Sequence, residues 1–306
     1  MSADLAVHHG AFGRATLNRL NRPLAPHAHR EGHLIFLLEG VPAAIEAEGR
    51  RLPLGIGTAA AVSPWEMHRF VPGRRECACL TLYIAPDWYE ARHAERRGAD
   101  RRIGLPHSRH PLVFGRGGIR IDQDIAGLVR AITDDLVIAC RRDLEDDQIR
   151  LRGRWRGEAH DPLSAVIADH IFDLTRLCEA QSWARTEDED APTGLREPMR
   201  DYRIRKSVRL MRESLGEEIA LDRIAREVGL SRPHFFKLFR TNLGVTPNIY
   251  VNALKMERSI ERLSTTHETV TSIGLDLGFA SQASFTRFFT ANSGINPSDY
   301  RRRVQT

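Results

Sequence analysis

The chain predicts an α+β two-domain protein: an N-terminal β-barrel or sandwich with following helices, then an all-α C-terminal domain with two helix-turn-helix units. Three observations carry this. Gly and Pro punctuate short apolar runs across residues 27–84, at the intervals of an all-β domain. Beyond Pro86 apolar residues recur at i, i+3, i+4. Near the end, "LSRPHFFKLFRTNLGVTPNIY" returns about fifty residues later as "ASQASFTRFFTANSGINPSDY". Phe235, Phe239, Gly244, Pro247 and Tyr250 are thereby matched by Phe285, Phe289, Gly294, Pro297 and Tyr300.

In chain order, "HLIFLLEG", "AAIEAEGRRLPL", "TAAAVSP" and "CACLTLYIA" read as strands of a unit over residues 1–85. "IDQDIAGLVRAITDDLVIACRRDLED" and "PLSAVIADHIFDLTRLCEA" read as amphipathic helices, making residues 86–183 a helical extension. Asp161 is the expected cap of the second, with Pro162 in its first turn. "ARTEDEDAPTGLREP" loses periodicity and gathers acids, Pro and Gly, which predicts a linker over 184–200. Residues 201–306 read as helical throughout, broken at Gly216, Gly229, Gly244, Gly278 and Gly294.

A length of 306 residues suffices for two domains with separate cores. No run of eighteen apolar residues occurs, so no membrane span is expected. The start "MSADLAVHHGAFGR" lacks an apolar signal core, and four cysteines make no disulfide framework; a reduced, cytoplasmic setting is expected. Cys77 and Cys79 share a strand face, either as buried thiols or as a metal- or oxidant-sensing pair, while Cys140 and Cys178 read as helical core. Charge is uneven. Residues 196–306 hold 19 Lys+Arg against 12 Asp+Glu, and the remainder 26 against 28. The basic excess lies with the repeat, which points toward a polyanion.

In the first copy Leu221, Ile224, Ala225 and Val228 form an apolar face, Gly229 ends the helix, and Ser231 caps the next, with Phe235, Leu238 and Phe239 inward. Ile273, Gly274, Leu277, Gly278, Ser281, Phe285, Phe288 and Phe289 repeat this grammar. The leftover faces hold Arg232, Pro233, His234, Lys237 and Arg240 in one helix, and Gln282, Ala283, Thr286 and Arg287 in the other. Arg and Lys donate to guanine edges, Gln to adenine, and Ala or the Thr methyl meets a thymine methyl. The plain alternative is a solvated helix face. Between the copies a helix from Pro247 to Ser264 would span about 26 Å, a rod able to set two reading heads roughly one DNA turn apart.

Residues from about 201 to 303 resemble the DNA-binding domain of the AraC/XylS family of bacterial transcription regulators. "IAREVGLSRPHFFKLFRTNLGVTPNIYV" and "IGLDLGFASQASFTRFFTANSGINPSDYR" carry the resemblance. The chain departs from the family at Gly274, where alanine is usual, and at Pro233, a position whose side chain often touches DNA. The resemblance implies contacts to double-stranded promoter DNA, and RNA polymerase as a partner.

"PHAHREGHLIFLLEG" and "GTAAAVSPWEMHRF" resemble the two motifs of the cupin barrel. That likeness carries over His27, His29, His33 (in place of the usual glutamate) and His68. It implies a cupin-like effector domain that binds a small molecule, with no metal required. His27 and His29 are expected to alternate on a strand and so share one face, and three readings stay open for the four histidines. They hold a divalent transition metal, line a metal-free effector pocket beside Trp65 and Glu66, or are ordinary polar residues. Leu163, Val166, Ile167, His170, Ile171, Leu174 and Leu177 make a stripe wide enough for a homodimer contact, or for packing on the chain's own barrel. The expected function is a non-enzymatic, effector-controlled transcription regulator. The alternative is a metal-dependent cupin enzyme or metal sensor with a helical C-terminal domain.

Overall fold

A computed structural model of the chain describes residues 6–97, 112–115, 118–150, 162–184, 201–215 and 220–304. The expected linker lies outside these residues apart from Ala184, as do Asp161, Gly216 and the Cys140 side chain.

The N-terminal half is built on nine strands: β1 (Val7–Gly10), β2 (Gly13–Leu20), β3 (Gly32–Gly40), β4 (Ala43–Ala47), β5 (Arg50–Leu54), β6 (Thr58–Val62), β7 (His68–Val71), β8 (Cys77–Ile84) and β9 (Ile119–Arg120). They form a six-stranded sheet, β1-β2-β8-β3-β6-β9, and a three-stranded sheet, β5-β4-β7. The two are separate ladders, so the expected barrel is an open one. Alternation along β3 shows why the sheets face each other. Ile35 and Leu37 pack with Ile45, Leu52, Leu54 and Phe70 of the smaller sheet, whereas Leu34 and Phe36 point to the opposite face. "AAIEAEGRRLPL", read as one strand, is the β4–β5 hairpin. Its turn holds Glu48 at φ 43° and Gly49 at φ 81°, the left-handed pair a tight hairpin requires.

Three helices cover the outer face of the large sheet: α1 (Pro86–Arg97), α2 (Gln123–Arg150) and α3 (Pro162–Ala184). Ile125, Ile132, Leu136, Ile167, Ile171 and Leu174 are fully buried against it. The segment after residue 85 is therefore not only helical. β9 pairs with β6, and Leu112 and Phe114 enter the same core. Of the stripe on α3, Ile167, Ile171 and Leu174 pack into the chain's own core, while Val166 and Leu177 are exposed.

The C-terminal half runs α4 (Tyr202–Glu213), α5 (Leu221–Glu227), α6 (Arg232–Leu243), α7 (Pro247–Thr265), α8 (Val270–Asp276), α9 (Gln282–Ser293) and α10 (Pro297–Val304). Each repeat has its own core: Ile224, Phe235, Phe239 and Tyr250 in the first, Ile273, Phe285, Phe289 and Tyr300 in the second. Burial of each such phenylalanine contributes about 1.5–3 kcal/mol. Gly229 and Gly278 hold φ 71° and 75° at the two turns, values open to glycine at little cost. Thr246 caps α7 through its hydroxyl, and Tyr250, Leu254 and Leu263 on that helix belong to the two cores in turn. At 19 residues the rod is about 28 Å long.

Candidate functional site

Two regions gather the functional candidates. The first is the outer face of α6 and α9. Arg232, Pro233, His234, Lys237 and Arg240 are exposed on α6, and Gln282, Ala283 and Arg287 on α9, with Thr286 half-buried. The helices are held by their apolar sides, which turns these residues outward. Two of them already have neighbours. Arg232 pairs with Asp222 at 2.5 Å, and Gln282 accepts a hydrogen bond from the Thr271 hydroxyl at 2.6 Å. Asp222 and Thr271 lie on the preceding helix of each unit, so the same device steadies one polar side chain in both. Sequence reasoning missed these two supports, since only the fold brings the helices together. α9 begins with a capping box, Ser281 and Ser284 exchanging side-chain and backbone bonds. Ser231 stands at the matching position but makes no side-chain cap bond, contrary to expectation.

The second region is the histidine cluster. His27 and His29 lie on the loop before β3 rather than on a strand, and His27 forms an isolated bridge with His68 at the start of β7. The loop places both imidazoles against His68 all the same. Ring centroids are 4.4 Å apart for His27–His68, 5.0 Å for His29–His68 and 5.7 Å for His27–His29. His33 stacks on Tyr83 and places its Nδ1 3.1 Å from His68 Nε2. Burial holds all four imidazoles below their ordinary pKa, so they are neutral near pH 7.

His27 and His29 line a cavity of about 60 Å³ together with Arg14, Glu31, Trp65 and Tyr83. Its opposite wall is α7, through Ile249, Asn252, Met256 and Glu257. The Arg14 guanidinium lies 3.8 Å over the Tyr83 ring. Sequence reasoning missed Arg14, Tyr83 and the whole α7 wall, because none stands near the histidines in the chain. His33 and His68 lie behind the cavity. Glu66 is displaced from the expected site: its carboxylate pairs with Arg50 and accepts from the Ser63 N–H, outside the cavity lining.

Trp65 does more than line the wall. It stacks on Tyr250 of α7, centroids 5.0 Å apart, and donates its backbone N–H to the His29 carbonyl at 2.8 Å. It is held at φ 62°, a left-handed conformation that costs a non-glycine residue roughly 1–3 kcal/mol. Packing from both halves of the molecule keeps it there. Three further joints tie the halves: the Ala25 N–H donates to the Ala291 carbonyl at 2.9 Å, His9 Nε2 lies 2.8 Å from the Tyr300 hydroxyl, and Val7 enters the second repeat's core.

Comparison with known proteins matches two family models. Residues 17–155 match the AraC-like ligand binding domain, and residues 224–303 a helix-turn-helix domain. The MmsAB operon regulatory protein of Pseudomonas aeruginosa is 33% identical over 95 residues, covering 31% of each chain. The lactose operon transcription activator of Staphylococcus xylosus is 28% identical over 98 residues, 32% of this chain and 35% of that protein. The chain thus spans about a third of the length of these curated relatives. Among solved structures, ToxT from Vibrio cholerae O395 aligns over 95% of this chain and 97% of its own, with 10% identity and a TM-score of 0.54. ToxT bound to an unsaturated fatty acid aligns over 97% of both, with 12% identity and a TM-score of 0.52. At such identities the likeness is one of fold. No helix among the described residues is long and apolar enough to cross a membrane.

Proposed function

We propose, from the premise that the chain belongs to the AraC/XylS family of transcription regulators, that it binds double-stranded promoter DNA under the control of a small-molecule effector. The reading heads are α6 and α9. Arg232, His234, Lys237 and Arg240 serve the first, with Gln282, Thr286 and Arg287 in the second. The chain acts in the cytoplasm as a homodimer, recruits RNA polymerase, has no membrane partner and catalyses no reaction of its own. The names of the two relatives given above, an operon regulatory protein and a transcription activator, support the last point.

One observation carries the proposal: the wall opposite the histidines is α7, the rod between the two heads. Ligand pockets for organic molecules commonly enclose 300–1,000 Å³. The cavity here is about 60 Å³, so an organic effector enters only by moving the N-terminal half relative to α7. That movement gives effector binding a differential affinity for two arrangements of the heads, which control requires. Arg14, whose Nε is buried with no hydrogen-bond partner, suits an effector that bears a carboxylate. Footprinting on the DNA upstream of the chain's own gene, with and without a panel of small carboxylic acids and other metabolites, tests the proposal. Two protected segments about one helical turn apart, changed by one panel member, are expected. Protection of a single segment by a folded protein, or none, would overturn it.

A further inference from the structure

The imidazoles of His27 and His29 at the cavity, and of His68 behind it, are locked in one tautomer. His27 donates its Nδ1–H to the Ala25 carbonyl at 2.7 Å, His29 to Glu31 at 2.9 Å and His68 to Glu66 at 2.8 Å. A neutral imidazole that donates from Nδ1 carries a lone pair on Nε2. Each of the three thus keeps Nε2 as its lone-pair nitrogen, and one ring nitrogen from each of His27, His29 and His68 lies within 4.8 Å of the others. His33 brings its Nδ1 to the His68 Nε2, and the buried Nε2 atoms of His29 and His33 have no partner.

We propose that His27, His29 and His68 bind one divalent transition-metal ion through their Nε2 atoms, with His33 as a competitor for the His68 lone pair rather than a ligand. Each Nδ1–carbonyl bond is the outer support that orients a metal-bound imidazole and raises its basicity. Three nitrogen donors suit Zn²⁺, Ni²⁺ or Cu²⁺, and select against Mg²⁺ and Ca²⁺, which require oxygen ligands. With Zn–N bonds of about 2.0–2.1 Å, tetrahedral nitrogens stand about 3.4 Å apart, so the rings close in by up to about 1.4 Å. The Arg14 charge opposes any cation here. It is offset by Glu31, whose carboxylate lies 3.4 Å from His29 Nδ1. An ion, unlike an organic effector, needs only this small closure of the rings. The regulatory consequence rests on the proposed function; the binding itself rests on the geometry.

The test uses the full chain, stripped with a chelator, titrated with Zn²⁺ by calorimetry and with Co²⁺ by visible absorption. One equivalent is expected, with the absorption of a tetrahedral nitrogen site. His29→Ala and His68→Ala each weaken binding at least about tenfold. Near-UV circular dichroism reports whether these buried variants fold, and His27→Gln, on the loop, keeps the test open if they do not. His33→Phe, which keeps a ring on Tyr83, binds as tightly as the wild type or tighter. The exposed His267→Ala is unchanged. Absence of binding by the folded chain at micromolar Zn²⁺, binding that survives all three ligand substitutions, or its loss in folded His33→Phe would each overturn the site. A panel metabolite that alters the footprint of the stripped protein preserves the functional proposal even then. Zn²⁺ binding that leaves every footprint unchanged preserves the site and removes the ion from control.

Discussion

The first helix-turn-helix unit turns Arg232, His234, Lys237 and Arg240 to solvent, whereas α9 of the second carries Arg287 as its single cation, among Gln282, Ala283 and Thr286. Their frames agree closely where these faces differ. Gly244 and Gly294 close the two recognition helices at φ 76° and 81°, and paired phenylalanines fill both cores. The second turn is one residue longer, Gly278 to Ser281 against Gly229 to Ser231. The difference teaches that the fold constrains the glycines and the buried rings and leaves the outer face to chemistry. On the proposed function the first head draws on charge, and so depends on salt, while the second reads through hydrogen bonds and methyl contacts.

The strongest test of the shared frame is the core. Phe239→Ala and Phe289→Ala should each cost about 3–5 kcal/mol in urea unfolding of the full chain, and a loss below 1 kcal/mol in either would break the equivalence. Next comes the division of labour. Arg287→Ala should relax base preference at one position by about 1–3 kcal/mol, whereas Lys237→Ala should weaken binding to all sequences and lower the salt slope by about 1. Competition binding at two salt concentrations separates the two, and exchanged outcomes would reverse the assignment.

Gly274 sharpens the comparison further. It stands opposite Ala225 in the repeat, and a Cβ there would lie 2.8 Å from the Phe285 Cβ. Gly274→Ala, although alanine is usual in the family, should therefore destabilise by about 1–3 kcal/mol through overpacking. Ala225→Gly should cost about 1 kcal/mol for the ordinary helical reason. Thermal unfolding measures both, and a stabilised Gly274→Ala would show that α8 and α9 can part. The smallest effect concerns the caps. Ser281→Ala should cost about 1 kcal/mol, while Ser231→Ala, which removes no cap bond, should be near neutral. Amide exchange in the first turns of α6 and α9 reads the contrast.

The repeat was legible because its signals are local. Phe235, Leu238 and Phe239 recur at helical spacing, Gly229 and Gly278 need left-handed backbone, and Thr246 precedes Pro247. β2 and β7 went unread, since "GRATLNRL" and "HRFV" offer too little apolar alternation. β9 was hidden by its two-residue length. The histidines could be grouped from their spacing, but the placement of His27 and His29 on a loop, the outward turn of Glu66 toward Arg50 and the capture of Trp65 by Tyr250 depend on contacts between distant segments. Pairings of that kind leave no period in a sequence, so the wall of the cavity formed by α7 had no sequence signal at all.

The bond from the Ala25 amide to the Ala291 carbonyl has a lasting consequence. It joins the loop that bears the histidines to the far end of the second reading helix through main-chain atoms alone. Side-chain replacement at either position leaves it in place, and proline at residue 25 is the one exchange that deletes its donor. The cavity is therefore free to drift toward new ligands over generations while the lever beneath it is inherited intact.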